Sequence, residues 1–238
     1  MKSNKRKKRK RKRRRARDRK RGRNNGQRHD MVVWQDGVPR PVRLRVRLDL
    51  DSLELAKGHD GFLRGSPEPV IIAGVYVVDP NGARVAARAL WRVERPGRFP
   101  CTVKAVNEGA DKRFGVTPPA TLVILAFAVE EDGGTDVQAL FGALEKVSAI
   151  SVWPRHSDVP APLHIDELAT QVEAWREWRS IHVMIDGDHV GDSVVDDDWI
   201  GAAAMVATAV PRLRGSQRVH FVSDDGLNDW TAELCVRM

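Results

Sequence analysis

The run Thr121–Val129, TLVILAFAV, limits the fold more than any other segment. It is continuously apolar, yet far shorter than the roughly 20 residues a membrane-spanning helix needs. In a strand, successive side chains point to opposite faces, so a strand that is apolar at every position must be covered on both. The segment reads as a central, doubly buried strand, and the rest of the chain has to supply its cover.

Other segments carry strand patterns of a different kind. Val42, Leu44, Val46 and Leu48 alternate with Arg43, Arg45 and Arg47, the period of a half-buried strand. Residues 70–78 are β-branched and apolar and end in Asp79-Pro80-Asn81-Gly82, a turn signal, so 84–93 reads as the returning limb of a hairpin. Further strands are expected at 181–185, near 202–206, near 219–222 and over 230–238, where Trp230, Ala232, Leu234, Val236 and Met238 share a face. The segment 95–119, with four prolines, reads as irregular. Helical spacing appears at Val137–Val147 and at Ile165–Trp178. Many short strands and few helices predict a mainly β protein, an antiparallel sandwich with a helical insertion at about 135–180.

Charge divides the chain differently. Residues 1–29 hold 18 Lys or Arg and one acid, while the remainder holds 22 bases against 31 acids. A polybasic arm over residues 1–30 thus precedes an acidic body over 31–238. Its densest stretch is Lys5, Arg6, Lys7, Lys8, Arg9, Lys10, Arg11, Lys12, Arg13, Arg14 and Arg15. Such a run repels itself and has no apolar face, so disorder is expected. Nucleic acid suits it through counterion release, and an anionic membrane suits it through about 1 kcal/mol per base near the surface. No aromatic residue is interleaved, so base stacking is not indicated. No apolar segment follows the basic start as in a signal peptide, and the two cysteines, Cys101 and Cys235, form no disulfide framework. The expected location is the cytoplasm, or the nucleus of a eukaryotic cell, with peripheral membrane attachment through the arm.

The chemistry-bearing segment is 183–201, VMIDGDHVGDSVVDDDWIG. Asp186, Asp188, Asp192, Asp196, Asp197 and Asp198 crowd into it, and a hard cation with six to eight oxygen ligands would relieve their repulsion. The alternative is a solvated hairpin loop. An EF-hand is excluded because Val190 occupies its fifth position and Asp197 its twelfth.

Ile185-Asp186-Gly187-Asp188 followed by Asp198-Trp199-Ile200-Gly201 resembles the C-two domain family, the calcium-dependent phospholipid-binding sandwiches of synaptotagmins and conventional protein kinases C. A weaker counterpart of that family's other metal loop lies at Asp60-Gly61-Phe62-Leu63-Arg64-Gly65-Ser66-Pro67-Glu68-Pro69-Val70, where Glu stands for the second Asp and Val70 for an aromatic residue. The resemblance covers about 42–78 and 181–238. It implies an eight-stranded antiparallel sandwich with calcium held by Asp60, Glu68, Asp186, Asp188 and Asp198. Asp192, Asp196 and Asp197 would be additional ligands, and Phe62 and Leu63 would insert into the membrane. Trp199 reads as core rather than as a membrane wedge.

Two other function classes fit. An Arg-rich arm ahead of a sandwich is the plan of nucleic-acid-packaging coat proteins that self-assemble. Clustered carboxylates also suit magnesium-dependent phosphodiester chemistry. No catalytic motif supports an enzyme: the seven histidines form no His-x-x-His pattern, and there is no Gly-x-Ser-x-Gly or phosphate-binding loop. No small-molecule substrate is indicated.

Overall fold

The structure, a computed structural model, describes residues 32–35, 38–58, 68–93, 96, 98–103, 111–116, 120–131, 135–155, 161–193, 198–209 and 214–237. The chain divides into two units, Met1–Arg40 and Pro41–Met238. In the first, the described backbone is extended, over β1 (Val32–Gln35) and the opening residues of β2 (Val38–Lys57). The arm's Lys5–Arg15 run lies outside the described residues.

The second unit is a mainly β sandwich with few helices. Its larger sheet has eight strands. Seven follow in the order β4 (Gly82–Arg92), β3 (Pro69–Asp79), β7 (Thr121–Glu130), β12 (Asp198–Thr208), β10 (Arg179–Ile185), β8 (Ile150–Pro154) and β9 (Leu163–His164), and the short β11 (Asp188–His189) pairs with β10. In the other sheet, β2 pairs with β14 (Asp229–Arg237), which pairs with β13 (Arg214–Val222). On its other edge β2 pairs with β5 (Cys101–Val103) and β6 (Asp111–Val116). Every described ladder between these strands is antiparallel.

The apolar run behaves as its composition demands. Leu122 to Val129 are all fully buried. Val123, Leu125, Phe127 and Val129 face a core shared with Val137, Leu140 and Leu144 from α1 (Thr135–Ala143) and its exit. Ile165 and Leu168 of α2 (Ile165–Ala169) and Trp175 complete that core. Their neighbours Leu122, Ile124, Ala126 and Ala128 point to the opposite face and are equally buried. The second sheet has buried side chains of its own, among them Leu48, Leu53, Phe221, Trp230 and Leu234. The sheets approach closely there: a Cβ added at Gly201 would lie 3.9 Å from Phe221 Cδ1. Full burial of each large aliphatic side chain contributes about 1.5–3 kcal/mol, so this strand anchors both layers.

β2 shows how register is managed over a long strand. Val46, Leu48 and Leu50 are buried, and then the phase changes to Leu53 and Leu55. The ladder with β14 shifts between Glu233 and Leu234, opposite Ser52 and Leu50, leaving Asp51 as an extra residue. A bulge of this kind keeps the apolar side inward where strict alternation would turn it to solvent.

Several expectations need correction. The segment 95–119 is not wholly irregular, since β5 and β6 lie in it. The second helix stops at Ala169 rather than Trp178 and continues as turns. There Thr170 Oγ1 donates to the Glu167 carbonyl at 2.7 Å, a side-chain bond that competes with helix propagation. Trp175 is still buried, its indole donating to Gln171 Oε1 at 3.1 Å. The helices of the insertion roof one face of the larger sheet, which is why that sheet tolerates apolar residues on both sides. Among the described residues no helix is long and apolar enough to cross a membrane.

Candidate functional site

Three strand ends define one rim of the larger sheet. β3 begins at Pro69, β7 ends at Glu130 and β12 begins at Asp198, and Glu130 is the register partner of both Pro69 and Asp198. Backbone pairing therefore brings Glu68 and Asp198, 130 positions apart in sequence, to the two flanks of one carboxylate. The Glu68 N–H donates to Glu130 Oε1 at 2.9 Å, and the Glu131 N–H donates to the Glu68 carbonyl at 3.0 Å. Glu130 and Glu131 are both buried.

The Asp-Gly-Asp segment stands at the same end. β10 runs antiparallel to β12, so it finishes where β12 starts. It leaves the ladder at Ile185 and returns from Asp188 as β11, with Ile185 and Asp188 as register partners. The two residues between them have positive φ, 56° at Asp186 and 92° at Gly187. This is the backbone of a type I′ hairpin turn, whose twist matches the flanking strands and which favours Asp-Gly. Part of the Asp-x-Asp spacing is thus fixed by turn chemistry, whatever the carboxylates bind.

The rim already carries cations. Lys146 Nζ lies 2.8 Å from Asp186 Oδ2, with both side chains more than half exposed. Arg92, at the end of β4, grips Glu131 through Nε and Nη2, each at 2.6 Å. Asp188 is exposed on β11, and Asp192 is exposed on the short α3 (Val190–Ser193). Asp198 is placed by its backbone alone. Asp60, Phe62, Leu63, Asp196 and Asp197 lie outside the described residues. Trp199 is partly buried and packs on the core, its ring 6.1 Å from that of Phe127.

Among the described residues no three His, Cys, Asp or Glu side chains are grouped as a metal site. The sequence reading missed Glu130 and Glu131, which hold the centre of the rim. Their signal was present: two acids at the immediate end of a doubly buried strand lie where backbone hydrogen bonding stops and loops begin. Glu68 meets Glu130 and Glu131 through its backbone, with Asp198 in register, and Arg92 and Lys146 pair with Glu131 and Asp186 at the same rim. No protein-family model matches the chain, and no curated protein matches it.

Proposed function

We propose that the chain is a calcium- and charge-dependent binding module for anionic phospholipid surfaces. The observation that supports this reading is the rim, where Glu68 and Asp198 flank Glu130 and the Asp186–Asp188 turn closes the same end of the sheet. Calcium accepts six to eight oxygen ligands in flexible geometry. Glu68, Asp188 and Asp198 would hold it, with Asp60 from the preceding loop and with Asp186 once Lys146 gives way. Bound calcium would turn a lipid-repelling acidic end into one that attracts lipid phosphate. The polybasic arm adds long-range attraction to the same surface.

The test is co-sedimentation of the full chain with phosphatidylserine-containing vesicles against pure phosphatidylcholine, in calcium or in chelator, at low and at high salt. The expected result is binding to the anionic vesicles alone, weakened by salt and strengthened by calcium. Failure to bind anionic vesicles under any of these conditions overturns the reading. Loss of the calcium effect alone, with salt-sensitive binding retained, removes the metal and leaves the arm.

The composition of the arm favours a second reading, nucleic-acid binding. A stretch with 18 bases and one acid but no aromatic residue matches a phosphate backbone rather than bases. In that reading the sandwich supports self-assembly around the nucleic acid. Particle formation with RNA, measured by light scattering, separates it from vesicle attachment.

A further inference from the structure

The hairpin that carries Asp186 also brings two histidines together, in an arrangement unlike that of the acidic rim. His182 lies on β10 and His189 on β11, diagonally across the ladder. Their rings are 5.4 Å apart between centroids, and His182 Nδ1 faces His189 Nε2 at 3.3 Å. We propose that this pair is a two-histidine site for a divalent first-row transition ion, zinc being the type ligand.

The spacing is the first argument. Two imidazole nitrogens, each about 2.0–2.1 Å from a tetrahedral zinc, are about 3.3–3.4 Å from one another. In the metal-free chain the same separation is spanned by one N–H to N hydrogen bond, a proton holding the place of the ion. The observed 3.3 Å is also the separation of two ligands with an ion between them. Imidazole suits zinc, copper and nickel, whereas calcium takes oxygen, so the pair selects a different ion from the carboxylate rim.

The surroundings are the second argument. The other ring nitrogen of His189, Nδ1, faces Asp192 Oδ1 at 3.8 Å. At 3.8 Å this is longer than a direct hydrogen bond, but a carboxylate beside Nδ1 favours the tautomer that carries its proton there and leaves Nε2, the atom facing His182, as the ligand. His182 is set by the strand beside it, where Trp153 is its register partner and the two rings lie 5.6 Å apart. Gly191 supplies the room. A Cβ at that position would stand 2.9 Å from His189 Cε1, 3.1 Å from its Nδ1 and 3.1 Å from Trp199 Cδ1. A larger residue there would push the ring aside, so glycine lets it stand where it does. His189 is 29% exposed and Asp192 87%, so an ion reaches the pair from solvent. Two protein ligands leave two tetrahedral positions, which water or a donor from another molecule fills.

The experiment is titration of the full chain, stripped of metal, with zinc chloride by calorimetry and with cobalt chloride by visible absorption. One zinc per chain and the intense cobalt band of tetrahedral coordination are expected. His182→Gln and His189→Gln should each lower zinc affinity at least tenfold. Asp192→Asn should lower it by about tenfold, the lower end of the range for a second partner. Gly191→Ala, which leaves both ligands in place but displaces the His189 ring, should weaken binding similarly. His220→Gln, at the opposite sheet, should change nothing. Circular dichroism checks that each variant is folded, and if His182→Gln is not, His189→Gln and Asp192→Asn decide. Absence of zinc binding by the full chain, or wild-type affinity in the His182→Gln/His189→Gln double variant, overturns the proposal. Asp186→Asn should leave zinc binding intact, so failure of the calcium reading and failure of this one are distinguishable.

Discussion

Arg92 and Glu131 form a two-pronged ion pair across the rim, Nε to Oε2 and Nη2 to Oε1, both at 2.6 Å. The pair ties the end of β4 to the residue that follows β7, across the intervening β3. The guanidinium fork matches a carboxylate in a way that a lysine ammonium cannot. Glu131 is buried while Arg92 is nearly half exposed, so removing the arginine strands a shielded carboxylate.

Arg92→Ala is accordingly expected to lower stability by about 1–3 kcal/mol, the cost of leaving a buried polar group without its charged partner. Arg92→Lys should recover only part of this. Urea denaturation of the three proteins, followed by tryptophan fluorescence, gives the ranking. Equal stability of the lysine variant and the wild type would show that charge alone suffices.

The Asp186-Gly187 turn separates backbone need from side-chain charge. Asp186→Asn keeps a residue that tolerates positive φ and loses only an exposed ion pair with Lys146, so its effect should be about 0–1 kcal/mol. Asp186→Val places a β-branched residue in the left-handed region and should cost about 1–3 kcal/mol. Thermal unfolding of the two variants tests the difference. Similar large losses in both would mean that the Lys146 contact, not the turn, carries the stability.

A pH dependence follows from Asp79 at the β3–β4 hairpin. Burial by itself raises this carboxyl, but hydrogen bonding from Arg84 and from the Asn81 backbone outweighs burial and holds it below the ordinary carboxylate value. Arg84 Nη1 is 2.6 Å from Oδ2, and the Asn81 N–H donates to Oδ1 at 2.8 Å. Because the folded value lies below the unfolded one, near about 3.9, the carboxylate's contribution is complete above that pH. It disappears as pH falls through the folded value. The stability difference between wild type and Asp79→Ala, expected at about 1–3 kcal/mol at neutral pH, should shrink as the medium is acidified below pH ~4. Denaturation curves along a pH series measure it.

The arm makes a quantitative prediction about salt. For a duplex nucleic acid the logarithm of affinity falls with the logarithm of salt by about 0.9 for each phosphate neutralised. Replacing Arg13, Arg14 and Arg15 by serine should reduce that slope without introducing sequence preference. Fluorescence anisotropy on two unrelated duplexes reads both quantities. An unchanged slope would place the contacts elsewhere in the chain.

The sequence by itself determined the mainly β architecture, and its reasons are local. TLVILAFAV has to be a doubly covered strand, the alternation at 42–48 and 230–238 can sit only on half-buried strands, and Asp79–Gly82 and Asp186-Gly187 are turn chemistry. It also divides charge along the chain, basic over residues 1–29 and acidic beyond them. The short strands β5, β6, β8, β9 and β11 were not legible, because a segment of two to six residues carries too few periods to show alternation. Which side chains gather was decided only by tertiary structure. The meeting of Glu68 with Glu130 depends on the register of β3 against β7, and that of His182 with His189 on the return angle of a two-residue turn and the space above Gly191. Register is set by how the apolar faces of whole strands pack, and no residue's immediate neighbours encode it.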